Sequence, residues 1–253
     1  MKKINILWTG GLDSTFRVLE LSREEVTIQP YYLASVNPST RYEINAILRI
    51  TERIMARPGT KCTLLPLVVV HISQIKTNEE ITAAWEKLHE SSRLGSQYDW
   101  IARFADQFNL TLELGIEKDF KESTIQRCLS QNGGYSILES GEAVISENGT
   151  EEAKRVFKNM RFPLPLFNMT KEDEIAQYKK WGASNILNRT WFCYRPVDGK
   201  PCGLCDPCQT YIEVGLGNRI PKNRRRLYYL RKNHNKLFNF IRNLKHRIRS
   251  LFK

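Results

Sequence analysis

Ile4, Ile6 and Trp8 alternate with Asn5 and Leu7, a period-two pattern that predicts a first strand near residues 3–8. Phe16, Leu19 and Leu21 then recur at helical spacing, so the chain turns from strand to helix within a few residues. Further strand-like runs fall near 25–34, 63–71, 110–115 and 184–188. Helical patterns fall near 14–22, 41–56, 78–92, 97–108, 119–130, 151–159 and 171–181, with Pro58-Gly59 and Asn132-Gly133-Gly134 as breakers. Strands that alternate with helices predict an α/β domain built on a parallel five-stranded sheet with helices on both faces. A chain of 253 residues is long enough to bury such a core without splitting it.

The last stretch follows another pattern. Leu227, Leu230, His234, Leu237, Ile241, Leu244, Ile248 and Leu251 form a near-heptad stripe among Arg and Lys. Thirteen basic and no acidic residues lie between Arg219 and Lys253, whereas residues 1–218 hold 26 basic and 27 acidic. The predicted tail helix suits tRNA, an anionic membrane or a second subunit of a homodimer, or else packs on its own domain with solvated charges. No apolar run approaches the ~18 residues of a membrane span, and with no signal peptide a cytoplasmic location is expected. On that expectation the Asn-x-Thr triplets at Asn109, Asn148, Asn168 and Asn188 are chance, and Cys62 is a small buried hydrophobe.

Two groups of residues carry chemistry. The turn between the first strand and helix reads Thr9-Gly10-Gly11-Leu12-Asp13-Ser14-Thr15. Glycines allow a tight turn and close approach of backbone amides, and Ser14 and Thr15 add hydroxyls where the helix dipole already favours an anion. A phosphate fits there, although the lysine of the G-x-x-x-x-G-K-[ST] loop is missing. The plainer alternative is a Gly-Gly turn with a helix cap at Asp13 or Ser14. The second group is Cys193, Cys202, Cys205 and Cys208, spaced C-x8-C-x2-C-x2-C. Four thiolates on tight turns can close a tetrahedral structural zinc site. An iron–sulfur cluster is the chemical competitor, disfavoured by the position of the fourth cysteine, and disulfides are disfavoured by compartment.

Together these groups resemble one family. The loop matches the S-G-G-x-D-S motif of PP-loop ATP pyrophosphatases, which have the HUP-like nucleotide-binding fold, with Thr9 for the usual Ser. Adding Trp191-Phe192-Cys193-Tyr194 and Cys202-Gly203-Leu204-Cys205-Asp206-Pro207-Cys208, the chain looks like a 7-cyano-7-deazaguanine synthase of queuosine biosynthesis. Thr170-Lys171-Glu172-Asp173-Glu174-Ile175 resembles that family's T-K-x-E-I. Arg41-Tyr42-Glu43-Ile44 departs from R-H-x-x-E at Tyr42, and Leu94-Gly95-Ser96-Gln97-Tyr98 keeps only Gly95 of P-G-R-N.

With the resemblance for the body and the charge and stripe for the tail, three segments are expected: a PP-loop domain at 1–190, a zinc-binding segment at 191–218 and a basic amphipathic tail at 219–253. The resemblance implies an ATP-dependent carbon–nitrogen ligase that adenylates 7-carboxy-7-deazaguanine or a close relative and reacts the adenylate with ammonia to give the 7-cyano-7-deazaguanine nitrile, releasing AMP and pyrophosphate or its hydrolysis products. Thr9, Gly10, Gly11, Leu12, Asp13, Ser14 and Thr15 would bind ATP, Asp13 would shape the loop or reach Mg2+, and Lys171 would contact phosphate or adenylate. The eroded motifs leave two rivals: a divergent enzyme that stops at an amide on a small molecule or macromolecule, tRNA modification included, and a non-catalytic tRNA- or membrane-binding platform.

Overall fold

In the computed structural model, residues 1–118 and 124–234 are described, and they divide into two compact units. The first comprises residues 1–36 and 40–191, and the second residues 37–39 with the chain from Phe192.

The first unit is an α/β layer structure. Its strands are β1 (Lys2–Leu7), β2 (Val26–Ala34), β3 (Thr63–Leu64), β4 (Val68–His71), β5 (Leu112–Leu114), β6 (Tyr135–Ile137), β7 (Glu142–Ile145) and β8 (Met160–Pro163). They lie in the order β3-β2-β1-β5-β8-β7-β6, with β4 also on β2. The pairs from β3 and β4 through β2, β1 and β5 to β8 are parallel, and β8-β7-β6 are antiparallel. Lys2 is opposite Val26 in the β1–β2 register, and Asn5 is opposite Leu112 in the β1–β5 register.

The expected five-stranded, wholly parallel sheet is therefore corrected. The run at 63–71 splits in two because Pro66 has no amide to give to the ladder. Gln29 Nε2 instead donates to the Pro66 carbonyl at 3.0 Å. Residues 184–188, read as a strand, hold the helical turn α8 (Ser184–Leu187), a short apolar run that periodicity alone cannot classify. The fifth parallel position belongs to β8, only four residues long and closed by Pro163.

The other helices of this unit are α1 (Leu12–Leu21), α2 (Thr40–Met55), α3 (Glu79–Ser92), α4 (Gln97–Gln107), α5 (Thr124–Gln131), α6 (Glu151–Phe157) and α7 (Lys171–Lys180). Their starts follow the local chemistry. Asn78 Oδ1 accepts the Ile81 amide at 3.2 Å, and Thr150 Oγ1 accepts the Ala153 amide at 3.3 Å. Leu7, Leu33, Leu112, Leu114, Met160 and Phe162 enter one core with Ile81, Leu88, Ile101, Phe104, Leu129 and Phe157 from α3 to α6. Ile4 and Ile6, alternating with that face, are buried too. Each such side chain contributes roughly 1.5–3 kcal/mol on burial.

Arg17 on α1 is one of the few buried charges. Its Nε donates to Glu113 Oε2 of β5 at 2.7 Å and its Nη2 to Glu113 Oε1 at 3.2 Å, while Nη1 reaches Glu20 at 2.6 Å. This fork ties the helix that opens the Thr9–Thr15 turn to the strand beside it.

In the second unit, α9 (Asp206–Glu213) and α10 (Lys222–Asn233) flank the cysteine turns. The predicted apolar stripe is described only at Leu227, Leu230 and His234; Leu237, Ile241, Leu244, Ile248 and Leu251 lie outside the described residues, as do 119–123 of the helix predicted near 119–130. No described helix is long and apolar enough to cross a membrane.

Candidate functional site

The Thr9–Thr15 loop leaves β1 at the centre of the parallel strands, where the order reverses between β2 and β5. Ligands bind open α/β sheets beyond the strand carboxyl ends at such a switch point. Gly10 has φ +69°, and a Cβ there would lie 2.8 Å from the Glu43 carbonyl oxygen, so both backbone and space demand glycine. Gly11 is extended and serves as the N-cap of α1 without any side-chain capping bond. The first-turn amides of α1 thus have no side-chain acceptor, contrary to a cap at Asp13 or Ser14, and remain suited to an anion.

The hydroxyls build the loop. Ser14 Oγ accepts the Thr9 amide at 3.2 Å and lies 3.0 Å from Thr9 Oγ1. Thr15 is buried and its Oγ1 accepts the Trp8 indole N–H at 3.0 Å, so its side chain braces the turn from below. Leu12 is also buried, and its carbonyl accepts the Tyr178 hydroxyl at 2.9 Å. From the far end of the unit, the Trp191 amide donates to the Gly10 carbonyl at 2.8 Å.

Lys171 arrives from 158 residues away. It is the first residue of α7, whose start is fixed by reciprocal bonds between Thr170 and Asp173. Its Nζ pairs with Asp13 and, at 2.5 Å, with Glu117 Oε1. Glu174, one turn on, is fully buried. Asp13, Glu117 and Glu174 each bring a carboxylate oxygen within 4.8 Å of the other two.

Burial opposes the Lys171 ammonium, yet Asp13, Glu117 and Glu174 outweigh it and hold its pKa well above the usual lysine value. Burial first, and Asp13 second, push Glu117 up to about 7 and raise Glu174 well above the carboxylate range. Both Glu174 oxygens are buried with no hydrogen-bond donor. Ionising all three carboxyls against one ammonium would leave surplus negative charge in a largely buried site, and an added cation would favour their ionised forms. Oxygen-only donors and orphaned carboxylate oxygens fit a hard divalent cation.

Asp13 and Lys171, both named from the sequence, are brought together here with Glu117 and Glu174, which were not named as site residues. Glu117 follows β5 directly, so its position beyond a central strand end was the available signal. Gly115 was missed as well. A Cβ there would come within 2.7 Å of Ser14 Cα and 2.9 Å of the Ser14 amide, so the chain after β5 runs directly against the loop. Tyr42 stacks on Trp191 with ring centroids 4.6 Å apart and planes 14° off parallel, and the Arg41 guanidinium lies 4.6 Å over Tyr42. The eroded R-H position is thus an aromatic shelf on the residue that bonds Gly10.

In the second unit the four predicted cysteines do come together. Cys193, Cys202, Cys205 and Cys208 are all free thiols, and their sulfurs lie within 4.8 Å of one another. Cys202–Cys208 and Cys193–Cys205 are each 3.9 Å apart, close to the ~3.8 Å tetrahedral edge that follows from zinc–sulfur bonds of about 2.3 Å. The Leu204 and Cys205 amides donate to Cys202 Sγ at 3.4 Å, which favours thiolate at that atom.

The geometry agrees with relationships in sequence. The model of the queuosine biosynthesis protein QueC family matches residues 136–213. A 7-cyano-7-deazaguanine synthase 2 from Sulfurisphaera tokodaii is 24% identical over 214 residues, 82% of this chain and 44% of the relative. A 7-cyano-7-deazaguanine synthase from Leptospira biflexa is 39% identical over 62 residues, 23% of this chain and 24% of the relative. One from Nautilia profundicola is 22% identical over 87% of this chain and 98% of its own length. The chain spans less than half the length of the Sulfurisphaera relative, and its match to the Leptospira relative covers about a quarter of either protein. A crystal structure of a 4-thiouridine synthetase–RNA complex with bound ATP is similar over 87% of this chain and 50% of its own, at 14% identity and TM-score 0.40.

Proposed function

We propose that this chain, a relative of the 7-cyano-7-deazaguanine synthases, is an ATP-dependent enzyme that activates a carboxylic acid as its adenylate and transfers the acyl group to ammonia. The observation that carries this reading is the meeting of Lys171 and Asp13 at an anion-ready helix start, on the carboxyl edge of the sheet. A carboxylate is a poor acyl donor because its oxygen leaves badly. Its attack on the α-phosphorus breaks the bond to the bridging oxygen and expels pyrophosphate. Ammonia then attacks the acyl carbon, the carbon–oxygen bond to AMP breaks, and an amide forms. A second activation of the amide oxygen, with loss of AMP and a proton, would yield the nitrile.

In this reading the amides of Leu12 to Ser14 cradle the leaving pyrophosphate. Lys171 Nζ holds positive charge where negative charge builds on phosphate. A divalent ion such as magnesium, held by Asp13, Glu117 and Glu174, would neutralise phosphate charge when bound. Zinc on Cys193, Cys202, Cys205 and Cys208 would serve folding rather than chemistry, since four protein ligands leave no open position.

The test is mass spectrometry of products from ATP, ammonium and 7-carboxy-7-deazaguanine. Nitrile with AMP is the expected result. Amide alone favours the second reading, an amide-forming relative, which the Tyr42–Trp191 stack in place of the family's histidine supports. No ATP turnover with any acid overturns both.

A further inference from the structure

The chain's charge divides at the boundary of its two units. Residues 192–253 hold 15 of the 39 Lys+Arg and 3 of the 27 Asp+Glu, so they carry the whole net charge of +12, while residues 1–191 hold 24 of each and are neutral. A solvated surface without a partner gains nothing from such separation and suffers self-repulsion.

The described part of the second unit shows how the charge is presented. On α10, Lys222, Arg226 and Tyr229 follow one another at helical spacing, and all three are exposed, Tyr229 to 51%. Among the described residues, neither Lys222 nor Arg226 has a carboxylate partner, whereas Lys232 is spent on Glu213 at 3.0 Å. The helix is held against the cysteine turn by Arg231 Nη1, which donates to the Leu204 carbonyl at 3.2 Å, and by Tyr228 Oη, which donates to Glu213 at 2.6 Å. Its outer face therefore presents two cations, Lys222 and Arg226, with the Tyr229 ring about one turn beyond them. Among the described residues of this unit, the exposed large apolar side chains are Tyr194 and Tyr229, both carrying hydroxyls, with no exposed Leu, Ile, Val, Met or Phe to enter a bilayer.

We infer that this face of the second unit binds a single-stranded nucleic acid, with Lys222 and Arg226 on phosphates and Tyr229 stacking on a base. Cations one helical turn apart with a ring on the same face suit an unpaired strand, whose bases are open for stacking. A lipid surface would ask for aliphatic side chains beside the cations, which this helix face does not show.

The test uses the full-length protein and a fluorescein-labelled 20-nucleotide single-stranded RNA of mixed sequence, read by anisotropy across a salt series. Binding should weaken steeply with salt. K222Q/R226Q should lower affinity at least tenfold and flatten the logarithmic salt slope by about 1.4, two phosphates at ~0.7 each. Y229A should lower affinity about fivefold or more with the slope unchanged. All three positions are exposed, and unchanged circular dichroism checks the fold. Failure to bind RNA, or binding indifferent to both variants, overturns the inference. So does binding to phosphatidylserine vesicles that the variants abolish while RNA binding survives.

Discussion

Lys171 is the residue on which most rests, because one ammonium faces three carboxylates. Lys171→Met should lower the rate of AMP formation about 10²–10³-fold, the loss typical of removing one charge stabiliser. The check is steady-state AMP release, with zinc content measured on the same sample and expected to be unchanged. Arg17 and Glu113 answer to stability instead. Their fork is buried, so Glu113→Ala leaves the guanidinium with Glu20 alone and two N–H donors unmatched, and should cost about 1–3 kcal/mol in chemical denaturation. At this scale the sequence was legible where residues sit in a contiguous motif, as in Thr9–Thr15. It was silent on Glu117 and on the Arg17–Glu113 pair, 96 residues apart, because nothing local marks a charge that will be buried by tertiary packing.

At the scale of elements, the helices were legible nearly to their ends, since α1 to α4 and α7 are long enough to show their period and several carry caps. The short strands were not. β3, β6 and β8 have two to four residues, too few to establish alternation, and the Ser184–Leu187 turn shows the same ambiguity in reverse. The close passage of β5's exit against the loop was equally hidden, yet it has a measurable consequence. Gly115→Val would press a side chain on the Ser14 backbone and displace the helix start. KM for ATP should rise about tenfold or more while circular dichroism stays unchanged, since an ångström of misplacement can cost two orders of magnitude. The cysteine turns are an element of another kind, marked by four converging sulfurs rather than by apolar area. Purified protein should hold about one zinc per chain and be colourless, and Cys205→Ser should lose the metal and lower Tm more than it lowers turnover per folded molecule. A brown protein with iron and labile sulfide would favour the cluster instead.

For the molecule as a whole, the neutral first unit and the basic second unit divide the work. The first supplies a switch-point crevice with its loop, lysine and carboxylates. The second supplies the four-cysteine cluster and the charge. The charge asymmetry was plain in composition, but its coincidence with a structural boundary emerged only from the fold. Chemistry at the loop is the central claim, and the fate of oxygen tests it most directly. A carboxylic acid labelled with ¹⁸O in both carboxyl oxygens, incubated with ATP and ammonium, should deliver one label into the phosphate of the released AMP. That transfer requires the carboxylate oxygen to have bonded to the α-phosphorus. Release of ADP and phosphate, or of AMP without label, would contradict it.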